Sequence, residues 1–132
     1  MEIKKKYKDL NVLVASINAV IGGKETKVQQ KLVKIYEKFK AHHESYNAQR
    51  DELRLDNAAT DDKGILLVDE KGEYKFTKEG IKNLTKNIQD LNEKEFDFKP
   101  IEVINTKGLE GFLFLQDWTT GIPFIEEQEE EL

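Results

Sequence analysis

The feature that most constrains this chain is a run of side chains at alternating steps of four and three: Val28, Leu32, Ile35, Phe39, His42, Tyr46, Gln49 and Leu53. Residues seven apart fall on nearly the same side of a helix, so this spacing is a heptad seam. A strand cannot use it, because strand side chains alternate every second residue. A helix of roughly 28 residues is about 42 Å long at ~1.5 Å per residue. The shorter helix ahead of it covers only about half that length at the same rise. The seam is apolar as far as Phe39 and then takes His42 and Gln49. Its first half is therefore expected to pack within the domain. Its wetter second half, His42, Tyr46, Gln49 and Leu53, is expected to meet a second copy or another protein, making a homo-oligomer through Val28–Leu53.

The rest of the chain limits what can surround that helix. Its 132 residues suit a single compact domain, expected over 1–125, followed by an acidic tail over 126–132. Hydrophobic residues make up 38% and charged residues 36%, so the core must be thin and the helices buried on one face only. With no cysteine, disulfides, thiolate zinc sites and cysteine nucleophiles are excluded. The apolar run Leu10–Ile21 is broken by Asn11, Ser16 and Asn18 and is too short for a membrane span. A cytoplasmic location follows as the expectation. Charge is uneven: residues 1–50 hold eleven Lys or Arg against five Asp or Glu, whereas the remainder carries the acidic excess behind the net charge of −5. Such a chain can attract its own other half or a second copy.

Along the chain, Glu2–Tyr7 alternates Ile3, Lys5 and Tyr7 with charges and reads as an edge strand or a loose leader. A first helix is expected over about 9–21, with Asp9 as N-cap and Gly22-Gly23 ending it in a left-handed turn. The long helix starts near Thr26. Asp56–Lys63 reads as a loop, and Ile65–Val68 with Glu73–Phe76 as a hairpin turning through Asp69–Gly72. Thr77 caps a third helix whose face is Ile81, Leu84, Ile88 and Leu91, with Gly80 weakening its first turn. Glu95–Ile104 reads as a strand interrupted by Pro100, and the stretch from Leu109 as a short helix or buried strand. No internal repeat is apparent. The fold class is α+β: an N-terminal antiparallel helix pair with one long helix, a third helix and a small antiparallel sheet.

No catalytic constellation is visible. His42 and His43 are adjacent, about 100° apart on a helix, whereas zinc-binding helices space histidines by three or four. His42 facing its symmetry mate would make dimerisation sensitive to pH near 6. Asp61-Asp62 and Asp69-Glu70 lack the ligand spacing of a calcium loop. Ser16 and Ser45 lack the glycine context of a nucleophile elbow. No metal, cofactor or enzymatic activity is expected. The Lys-rich N-terminal half admits a small-ligand or nucleic-acid-binding role, which the acidic total and the shortage of arginine disfavour. Phe112, Phe114, Trp118 and Phe124 are what a thin core needs, and Phe114 and Trp118 are also suited to anchor a partner.

The order of these segments resembles a family of small bacteriophage proteins defined as a domain of unknown function. A basic start leads into an apolar helix, then a long charged helix, the EKGEYKF turn and a Leu-rich helix. LNEKEFDFKPIEV, LEGF and a PFIEE-type end follow, the likeness being strongest over about 84–127. The Asn57–Lys63 loop and the WTTGI segment have no counterpart in that pattern. The resemblance supplies no catalytic residue. It implies a phage-encoded accessory protein of the infected host's cytoplasm, engaged in assembly or in binding host factors, including inhibition of a host defence.

Overall fold

In the computed structural model, which describes residues 2–125, the Lys-rich start is a strand. Ile3–Lys6 (β1) pairs antiparallel with Glu95–Phe98 (β2), in the register Ile3 to Phe98 and Lys6 to Glu95. The pairing sets basic residues opposite acidic ones, and the Lys4 ammonium lies 2.6 Å from the Asp97 carboxylate. Opposite charges directly across a ladder are favourable. Part of the chain's charge asymmetry is therefore satisfied within this two-stranded sheet.

Tyr7–Ile21 (α1) begins two residues before Asp9. Asp9 is not the cap. From the first turn its carboxylate accepts from the Lys6 N–H at 3.3 Å, the back-bond of a capping box. Tyr7, Leu10, Leu13 and Ile17 form its buried stripe. Gly22 follows with φ −68, in the right-handed region, so the left-handed stop expected there is absent. The Gln29 side-chain amide instead donates to the Ile21 carbonyl at 2.9 Å, satisfying one of the orphan acceptors of the helix end.

Thr26–Asn57 (α2) is one uninterrupted helix of 32 residues. The chain divides into two compact units, and α2 contributes to both. The first unit is built from the stretch up to Ala41 together with the stretch from Glu95 onward; the second is His42–Lys94. The chain leaves the first unit along α2 and re-enters it at β2, so the second unit is an insertion between Ala41 and Glu95.

In the first unit the core takes Leu10 and Leu13 from α1 and Leu32, Ile35 and Phe39 from α2, with Phe98, Leu109, Leu115 and Trp118 beyond them. Pro100 ends β2, and the chain resumes as Ile101–Glu102 (β3). β3 pairs parallel with Thr119–Thr120 (β4), so the expected single strand through Ile104 is divided between two small sheets. A proline cannot donate to a ladder, which is why the pairing changes there. The Leu109 region forms one 3-10 turn, Leu113–Leu115. Gly121, with φ +97, lies so close to Val103 that an added Cβ would come within 2.5 Å of the Val103 carbonyl oxygen.

The second unit contains a repeat that the sequence pattern hides. In Asp61–Gly64 the Asp61 carboxylate accepts from the N–H groups of Lys63 and Ile65 at 2.8 and 3.0 Å. Eight residues on, in Asp69–Gly72, the Asp69 carboxylate accepts from Lys71 and Glu73 at the same two distances. Gly64 and Gly72 have φ +80 and +79, which glycine adopts freely. Eight residues further, the Thr77 hydroxyl accepts from the Gly80 N–H at 2.9 Å and opens Lys78–Glu93 (α3). The third turn of the series is thus the N-cap of a helix. Ala59, Leu67 and Lys75, also eight apart, close a ring of backbone hydrogen bonds. Ala59 donates to Lys75, Lys75 to Leu67 and Leu67 to Ala59, at 2.8–3.0 Å. The expected loop and hairpin are consecutive parts of this one device. The acidic tail expected over 126–132 lies outside the described residues.

Candidate functional site

The second half of the α2 seam is occupied within its own unit. The Tyr46 ring is buried, and its hydroxyl donates to the Asn92 side-chain carbonyl at 2.8 Å. The Lys94 ammonium donates to the Gln49 side-chain oxygen at 3.0 Å, and the Asn57 amide to Asn87 at 3.2 Å. All three acceptors or donors opposite α2 come from α3 or from the residue following it, so α3 is the element that meets this half of the seam. His42, Gln49 and Leu53 are half-buried. Along the seam from Val28 to Leu53, Leu32, Ile35, Phe39 and Tyr46 are buried, while Val28, His42, Gln49 and Leu53 keep part of their surface in solvent.

The aromatic candidates Phe114 and Trp118 line one shallow hollow and differ in burial. Trp118 is a core residue, with the Phe98 ring edge-on at 5.2 Å, the Phe39 ring at 6.4 Å and the Lys5 ammonium 4.7 Å over its face. Phe114 is half-buried and lines a shallow hollow with Val12, Asp117 and Lys5. At His43, burial first, and then the Arg50 guanidinium, hold the imidazole pKa below the ordinary histidine value, with Glu44 opposing. The carboxylates of Asp61 and Asp69 are spent on backbone N–H groups.

What the sequence did not single out is the apolar surface of the second unit. Among the described residues, its buried large apolar side chains are Tyr46 and Leu91, with Leu53, Leu66, Phe76, Leu84 and Ile88 half-buried. Leu55, Ile65, Leu67, Val68 and Ile81 are exposed, Ile65 at 60% and Ile81 at 53%. The second unit therefore exposes more large apolar side chains than it buries, the reverse of the first. Scattered single exposures are ordinary, and the imbalance between exposed and buried apolar side chains is what sets this small unit apart. One signal was available. ILLV is four apolar residues in succession, and a strand with one wet face alternates.

Among the described residues no helix is long and apolar enough to cross a membrane. No family model, characterised protein sequence or solved structure matches this chain.

Proposed function

We propose that this chain is a non-enzymatic interaction protein that binds another protein and modulates it, through the apolar surface of the second unit. The observation that carries this is the exposure of Ile65, Val68 and Ile81 in a unit whose described core holds two large apolar residues. Exposed apolar area is lost from water on contact with a partner, at about 25 cal/mol per Å². The resemblance to the phage family makes a protein of the infected host the partner class to seek first, with inhibition of a host defence as the role. A phage protein met during assembly is the other member of that class.

The test is a photo-crosslinking side chain at position 81 in cells producing the chain. A discrete adduct with a second polypeptide species is expected, and Ile65→Asp should abolish it without altering the circular dichroism spectrum. Absence of an adduct, or an adduct only between copies of this chain, overturns the proposal.

A further inference from the structure

The first unit holds a second, chemically different feature. A groove of about 230 Å³ lies between α2 and the segment from Ile101 to Asn105. Its floor is apolar, made by the buried side chains of Ile35, Ile101 and Leu109. Its rim carries Lys31, Lys34 and Lys38, at steps of three and four along one face of α2, against a single carboxylate from Glu102. Lys31 is tied to the Lys107 carbonyl at 2.6 Å. Lys34 and Lys38 are exposed. Among the described residues β3, which forms the opposite wall, pairs with β4 alone.

We propose that this groove binds an acidic peptide segment of a partner protein, with one apolar side chain against the floor and carboxylates along the lysine rim. Three observations select that occupant. The volume lies below the ~300 Å³ from which small-molecule pockets begin, so it suits one side chain rather than a whole ligand. Charge complementarity selects an anion, since three ammonium groups face one carboxylate. The groove lining has no aromatic ring on which a base could stack and no arginine to fork a phosphate, which disfavours nucleic acid. An extended peptide can also add to the edge of β3 that no other described strand takes. The groove shares no residue with the apolar surface of the second unit, so the two proposals fail separately.

The experiment is fluorescence anisotropy with a labelled ten-residue peptide of Glu and Asp around one central Leu. Binding is expected to weaken about tenfold with Lys34→Glu plus Lys38→Glu, both exposed positions that leave the fold intact. Replacing the central Leu by Ser should also weaken it, as should raising salt until the Debye length falls to about 3 Å. No binding, or binding unchanged by the double variant, overturns the proposal. So does equal binding of a single-stranded oligonucleotide of the same charge. Binding that appears only when residues 126–132 are removed also overturns it, because the chain's own glutamates would then be the occupant.

Discussion

Gly80 shows how a single residue can be misjudged from propensity alone. Glycine inside a helix is worth about 1 kcal/mol less than alanine, so Gly80→Ala would be expected to stabilise α3. Here a Cβ at position 80 would come within 2.6 Å of the Asn57 carbonyl oxygen, a backbone atom that cannot swing aside. Gly80→Ala should therefore lower stability by about 1–3 kcal/mol, the range for overpacking, as read from chemical denaturation. His43 gives a second outcome at this scale. Its pKa is depressed in the folded chain, so the unfolded chain takes up the proton first as pH falls below about 6.5. Stability from the neutral imidazole is present above that pH and lost beneath it. The melting temperature should fall between pH 7 and pH 5, and His43→Asn should flatten part of that slope. Phe39, fully buried beside Trp118, should lose about 3–5 kcal/mol on truncation to alanine.

At the scale of elements, the helices were legible because long apolar periodicity leaves little choice. The seam of α2 and the stripe of α1 follow directly from their three-and-four spacing, and Thr77 caps α3 as its sequence suggests. The eight-residue repeat of turns was not legible, since its units share only an Asp or Thr and a Gly three residues later. What equates them is hydrogen bonding. Asp61 and Asp69 should contribute alike: Asp61→Ala and Asp69→Ala should each cost about 1 kcal/mol, measured by thermal melting, because each removes an acceptor shared by two N–H groups. The change of pairing at Pro100 could be anticipated as a break, but not the parallel partner at Thr119, which lies far along the chain.

At the scale of the whole molecule, the sequence located the apolar residues without saying which of them the fold would cover. Tyr46 and Trp118 looked suited to anchor a partner and are buried, whereas Ile81, read as part of the apolar face of the third helix, is exposed. Composition cannot decide this, because cover comes from residues distant in sequence. Asn92 reaches Tyr46, and Phe98 reaches Trp118. The lysine groove left a fainter trace. Lys27, Lys31, Lys34 and Lys38 repeat the four-three-four rhythm of the seam on another face of the same helix. The two units should also differ in local stability, since openings need less energy where little apolar surface is buried. Amide hydrogen exchange at Leu84 and Ile88 should be faster than at Leu13 and Ile17.

The ring joining Ala59, Leu67 and Lys75 bears on more than local order. Ile65–Val68 is a stretch of the kind that recruits identical strands into fibrils when its backbone is free. With Leu67 already donating and accepting inside the ring, that recruitment lacks its central rung. A strained turn would release it. Gly72→Val, forced onto φ +79, should shorten the lag of thioflavin-detected fibril growth, while Gly23→Val, at a position without that conformation, should leave it unchanged. The same closed circuit that folds these residues also withholds them from endless copies of themselves.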